Sequence, residues 1–194
     1  MKDQITCFVP MTDEAQVAPL VEALSACPMV GRIIRLTTDE QLAQRAARRD
    51  TLFVPTLFGT EAISAIARSS RETPYLLYYT KYTPLSIGYL ALERMVQVMR
   101  LTNAGMVYAD RYQQDGEERR PAPVIDCQRG SLRDDFDFGS LLLFRTYIFR
   151  AVAASMTANY RFAGLYDLRL RLSERAPIVH INEYLYTEVL SDRR

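Results

Sequence analysis

The sequence predicts an α/β fold with a mainly parallel sheet flanked by helices. Three observations carry this. Short apolar runs alternate with helical stretches of about 10–15 residues from Gln4 to Gln113, the rhythm of βαβ units. The run Tyr75 to Tyr79 is apolar throughout, as a strand covered on both faces of a parallel sheet must be. The chain of 194 residues, 48% apolar and 24% charged, fits one domain with a sizeable core, residues 1–194.

The elements follow in order. "QITCFVP" is the opening strand. "TDEAQVAPLVEALSAC" is a helix, with Thr12 as N-cap and Asp13 and Glu14 in the first turn, where the helix dipole favours acids. "GRIIRLTT" is the second strand, "DEQLAQRAARR" a polar helix and "TLFVPT" a short third strand. "GTEAISAIARSS" is a helix with Thr60 as its cap, "YLLYY" the fourth strand, and "LSIGYLALERMVQVMRLT" an amphipathic helix. "AGMVYADRYQ" is another strand. The long polar stretch "DGEERRPAPVIDCQRGSLRDDFDFG" reads as a loop, and a loop of that length in a compact domain is functional or mobile. An apolar run, "SLLLFRTYIF", a helix, "AGLYDLRLRLSERA", and a closing strand or strand pair, "IVHINEYLYTEV", complete the chain. It ends at "EVLSDRR", which reads as the beginning of a tail and is compatible with the N-terminal part of a longer protein.

In such folds ligands bind outside the carboxyl ends of the strands, where the strand order reverses. The loops after Val9, Leu36, Val54, Tyr79 and Tyr108 are therefore the ones to inspect. The net charge of +1 argues against a nucleic-acid partner held by bulk electrostatics. No run approaches the length of a membrane span, and the N-terminus lacks a signal-peptide pattern. Cys7, Cys27 and Cys127 are an odd number without metal-ligand spacing, which predicts reduced thiols and a cytoplasmic setting.

Motifs in this order resemble the family-2 glycosyltransferases. "VPMTDE" is similar to that family's opening strand and its Pro-x-Tyr-Asn-Glu turn, at Pro10 and Glu14. "MVYADRYQQDGEERRP" resembles its Val-Tyr-Ser-Asp strand and Asp-Gly turn. "FGSLLLFRTYIF" resembles the Gly-Ser-x-x-x-Phe-Arg strand after the acceptor loop. "GLYDLRLRLSERAPIVHINEYLY" resembles an Asp-Tyr-Asp-Leu-x-Leu-Arg-Leu helix followed by an Ile-Pro-x-x-Leu-Tyr strand. The resemblance runs over nearly the whole chain. It implies a GT-A fold, a nucleotide-sugar donor and a glycan or other hydroxyl acceptor. It also implies a carboxylate base for the acceptor hydroxyl and a divalent metal for the leaving diphosphate.

Three positions depart from that pattern. Where the family carries its metal-binding Asp-x-Asp, after the fourth strand, Thr80, Lys81 and Tyr82 stand; hard cations need oxygen ligands, and Lys81 repels them. Where it carries its base, Leu165 stands. Where it carries an acidic pair after the second strand, Thr37 and Thr38 stand. No cofactor is therefore expected, a divalent ion such as Mn or Mg included.

The residues left to act are in the loops. Asp134, Asp135 and Asp137 form an acidic cluster interleaved with Phe136 and Phe138. They are candidates for the catalytic base or a replacement metal site on the acceptor side, or for turn caps paired with Arg129 or Arg133. Pro10, Thr12, Thr38, Asp39, Thr80, Lys81 and Asp110 are candidates for donor contacts. Lys81 can compensate a diphosphate as a point charge, or be a solvated loop lysine. Asp110 can cap a turn. His180, the single histidine, reads as structural, and the arginines of "YDLRLRLSER" as a solvated face opposite Leu168 and Leu172. Two functions follow: sugar transfer from a nucleotide sugar, or a catalytically inactive transferase-like domain that serves as a binding or interaction module.

Overall fold

Strand β1 (Ile5–Pro10) is buried at every position, and β2 (Val30–Thr37) lies parallel to it across helix α1 (Glu14–Ser25). The computed structural model describes residues 4–45, 50–70, 72–128, 130, 132–133 and 135–190. A short α2 (Glu40–Arg45) leads to β3 (Thr51–Phe53), parallel to β2. Helix α3 (Thr60–Ser69) returns the chain to β4 (Tyr75–Tyr79), which pairs parallel with the other side of β1. Then come β5 (Leu85–Ile87), α4 (Ala91–Leu101), β6 (Met106–Asp115), β7 (Glu118–Ala122), β8 (Leu141–Arg145), α5 (Thr146–Ser155), α6 (Gly164–Arg175) and β9 (Ile178–Val189).

Among the described residues the sheet has nine strands in the order β3-β2-β1-β4-β8-β6-β9-β5, with β7 added to the far half of β6. Strands β1, β2, β3, β4, β6 and β9 share one direction, and β5, β7 and β8 oppose it. The expected mainly parallel sheet flanked by helices is what forms. Period-2 alternation sends Leu77 and Tyr79 of β4 into a core with α1 and α4. Leu76 and Tyr78 enter a second core with α3, α5 and α6.

Local readings need four corrections, and one open alternative is decided. The N-cap of α1 is Asp13, whose carboxylate accepts the Gln16 N–H at 2.9 Å; Thr12 precedes the cap and is exposed. Gly59 caps α3, and the Thr60 hydroxyl donates to the Ala158 carbonyl at 3.0 Å instead. The predicted helix from Leu85 begins only at Ala91. Leu85–Ile87 pairs antiparallel with β9, Gly88 N–H donates to the Leu185 carbonyl at 2.9 Å, and Leu90 turns the chain at φ 53. The long polar stretch is not loop throughout. Its first part is the hairpin β6–β7, turned at Gly116 with φ 57, a conformation glycine adopts at no steric cost. The closing segment is one strand, with register shifts against β6 at Ala109–Arg111.

The three cysteines are free, and Cys7 is a fully buried core residue. Among the described residues no helix is long and apolar enough to cross a membrane.

Candidate functional site

Strand β1 pairs with β2 on one side and β4 on the other, so the strand order reverses between the carboxyl ends of β1 and β4. The loop after β4 is stitched down at four points. Thr80 N–H donates to the Ser140 carbonyl at 2.9 Å, and its hydroxyl donates to the same oxygen at 3.2 Å. Gln16 Nε2 reaches the Tyr82 carbonyl at 2.8 Å, and the Tyr79 hydroxyl donates to the Thr83 carbonyl at 2.8 Å. Lys81 Nζ lies 2.8 Å from Glu188 Oε1.

Glu188 is wholly buried on β9 and is a hub. Its Oε1 accepts from Lys81, from Arg111 Nε at 2.8 Å and from Gln113 Nε2 at 3.1 Å, and its Oε2 from the Ser140 hydroxyl. Arg111 continues to Asp137 Oδ2 at 2.8 Å, and Asp137 Oδ1 accepts the Gly139 N–H at 2.7 Å. Burial alone raises the Glu188 carboxyl. Hydrogen bonds from Lys81, Ser140 and Gln113, with the Lys81 charge, outweigh it and hold the group below the ordinary glutamate range. These residues do not fit a divalent cation. The Thr80 hydroxyl donates its proton to a carbonyl, an ammonium stands beside it, and the nearby buried carboxylate is already saturated by donors.

Beside Thr80 opens a cleft of about 430 Å³, between the 136–139 loop and the start of α6. Thr80, Asp137 and Arg169 bring polar groups to it, and Phe138, Phe162 and Leu165 supply apolar wall. Leu165 is buried in the α3–α5–α6 core. Arg169 lies four residues after Leu165, on the same helix face. Its guanidinium rests on the Phe138 ring, 4.5 Å from the centroid, and burial pulls its pKa down to about 10. A smaller hollow of about 280 Å³ lies at Gly59 and Tyr160, where Asn159 already bonds Glu61 and Thr56 the Arg161 carbonyl.

A third cluster fastens the segment after β7. His180 Nε2 lies 2.9 Å from Asp110 Oδ1 and its Nδ1 2.8 Å from Asp126 Oδ1, and its ring stacks on Tyr108 at 5.1 Å. Asp110 also accepts the Val124 N–H at 2.9 Å, while Tyr108 bonds the Ile125 carbonyl at 2.7 Å and the Cys127 N–H at 2.8 Å. His180 thus ties Asp110 to Asp126, and Asp110 is buried among these partners.

Of the candidate residues, Thr80 and Asp137 meet at the cleft. Asp135 pairs with Arg133 at the surface, 3.0 Å, and Asp134 lies outside the described residues. Asp39 caps α2, accepting from Gln41 and Leu42 N–H at 2.8 and 3.1 Å. Thr38 is exposed beside it, and Pro10 is buried at the end of β1. Thr12 N–H donates to Gln16 Oε1 at 3.1 Å, next to the stitched loop. Lys81 and Asp110 do not reach the cleft lining. Sequence reading missed Glu188, Arg111 and Arg169. The first had a signal, since Glu188 falls two residues after Tyr186, in phase with an inward strand face. Arg169 is not on a solvated face as expected, and its i+4 spacing from Leu165 was the available clue.

No protein-family model and no curated protein matches the sequence. Among solved structures, S. aureus TarS 1–349 in complex with UDP-GlcNAc superposes with a TM-score of 0.62 at 10% identity, covering 98% of this chain and 60% of that one. The same protein in complex with UDP gives 0.62 at 10% identity, covering 97% and 61%. A 4-diphosphocytidyl-2C-methyl-D-erythritol synthase from Anaerococcus prevotii gives 0.57 at 9% identity, covering 94% and 88%. The chain thus spans about three-fifths of the TarS structures. At these identities the likeness shows the fold alone, a GT-A-like α/β fold.

Proposed function

We propose that the chain is a glycosyltransferase-like protein, akin to family 2, that binds a nucleotide sugar and passes the sugar to a glycan or other hydroxyl acceptor without a divalent metal. The observation that carries this is the cleft at the end of β4, where Thr80, Asp137 and Arg169 face one space. The switch point of the sheet is where such folds seat a ligand. The donor's base and ribose lie, in this reading, along Pro10–Thr12 and Thr38–Asp39. Asp137 serves as base. It takes the acceptor proton as the acceptor oxygen bonds the anomeric carbon, and the diphosphate leaves with the electrons of the broken C–O bond. Support for the metal-free form is the donor set around Lys81 and Glu188, which does not suit a hard cation.

Two observations favour a second reading, a binding or interaction module without turnover. Leu165 stands where the base is expected, and both Asp137 oxygens are engaged by Arg111 and Gly139. The experiment is titration calorimetry with UDP and UDP-sugars, with manganese and with EDTA, followed by product detection for wild type and Asp137→Asn. Metal-independent binding with turnover lost in D137N supports transfer. Binding without product selects the module. Failure to bind any nucleotide or nucleotide sugar defeats the transferase reading.

A further inference from the structure

Arg169 Nε is buried and has no hydrogen-bond partner. Among the described residues no carboxylate forms a salt bridge with its guanidinium; Asp137, which also lines the cleft, attracts it without one and is itself bound to Arg111. The other cations near the cleft differ. Lys81 is neutralised by Glu188, and Arg111 by Glu188 and Asp137. A largely buried guanidinium without an acid is costly, and its planar fork of donors matches an oxyanion. The cleft is shaped for one. Its apolar wall at Leu142, Phe138 and Phe162 strengthens any charge pair formed inside it, and the N-terminal end of α6, at Ala163 and Leu165, borders it with its partial positive charge. Phe138 holds the guanidinium face, so its edge is left for a ligand.

We propose that Arg169 is the anion-binding residue of this cleft and holds a phosphate or diphosphate group without a metal ion. The inference rests on the reading of the cleft as a nucleotide-sugar site, and it makes Arg169, in place of Lys81, the charge that meets the leaving diphosphate.

The test is calorimetry of the full chain with sodium pyrophosphate in EDTA. Wild type binds, and binding weakens as salt rises. Arg169→Met, which keeps an unbranched apolar side chain but removes the guanidinium from Phe138, weakens binding tenfold or more, and Arg169→Lys restores part of it. Arg171→Met, an equal loss of charge at a residue paired with Asp167, leaves binding unchanged. Because R169M removes a largely buried charge that has no salt bridge among the described residues and gives up only the Phe138 stack, it melts near the wild-type temperature; should it fail to fold, Arg169→Gln carries the comparison. No pyrophosphate binding by wild type, or equal binding by the folded Arg169 variants, overturns the proposal. UDP-sugar binding without pyrophosphate binding overturns it while the donor reading stands. Arg169-dependent pyrophosphate binding without any nucleotide-sugar binding supports it and removes the donor reading. UDP displaces pyrophosphate if the anion is the donor's own, and both bind together if it belongs to an acceptor.

Discussion

Replacing Glu188 by alanine removes the carboxylate that Lys81 and Arg111 share, and the two cations respond differently. The Arg111 side chain is 7% exposed and cannot rehydrate where it stands. A buried charge deprived of its partner costs about 3–5 kcal/mol. Asp137, 58% exposed, still holds the other side of the guanidinium, which puts the expected cost near the lower end, about 3 kcal/mol. Lys81 is 41% exposed and turns to water, so Lys81→Met costs at most about 1 kcal/mol. For a chain of this size 1 kcal/mol is about 2–4 °C. E188A should therefore lower Tm by roughly 6–12 °C and K81M by no more than about 4 °C. Thermal and urea unfolding followed by circular dichroism, on both single variants and the double, reads these values. The pH dependence gives an independent check. The Glu188 carboxyl is depressed on folding, so its contribution is present above the unfolded value of about 4.3 and is lost as pH falls through the folded value. Wild type should lose stability below about pH 4 more steeply than Glu188→Gln. Equal costs for E188A and K81M, or a cost under about 1 kcal/mol for E188A, would refute the hub.

Three further outcomes are expected. Gly139→Ala places a methyl group against the Tyr186 hydroxyl at a φ of 70°, so it should cost about 1–3 kcal/mol in urea unfolding, with part recovered in G139A/Tyr186→Phe; no loss would mean the 137–140 turn adopts another conformation. His180→Ala leaves Asp110 without its ring partner and should cost about 1–3 kcal/mol. Limited proteolysis should then cut the segment after β7 faster, and an unchanged cleavage pattern counts against the clasp. Burial pushes the Cys7 thiol up, so a thiol reagent should leave Cys7 unmodified in the native protein and label it once urea unfolds the chain; native labelling of Cys7, read by mass spectrometry, would contradict its place in the core.

The elements that could be read from sequence are those whose signal is local. "YLLYY" had to be a covered strand, and its alternate residues fill the two cores. Helices α3 and α6 show their apolar stripes at helical spacing. Strand β5 was not readable. Leu85–Ile87 continues an amphipathic helix as well as it forms a strand, and its pairing with residues 186–188 decides. The N-cap went to Thr12 instead of Asp13 for a similar reason: adjacent capping residues compete, and backbone geometry selects between them.

For the candidate site the division is sharper. Sequence alone determined the strand–helix alternation through β4, the loop after β4 with its missing acids, and the acidic positions from Asp134 to Asp137, because periodicity and residue chemistry are properties of a short window. Tertiary structure decided which charges are spent and which remain. Lys81 meets Glu188 across 107 residues, Arg111 meets both Glu188 and Asp137, and Arg169 is left at the cleft without a salt bridge among the described residues. Burial and pairing depend on which distant segments the fold brings within about 3 Å of one another, the reach of a hydrogen bond, and no local pattern encodes that distance.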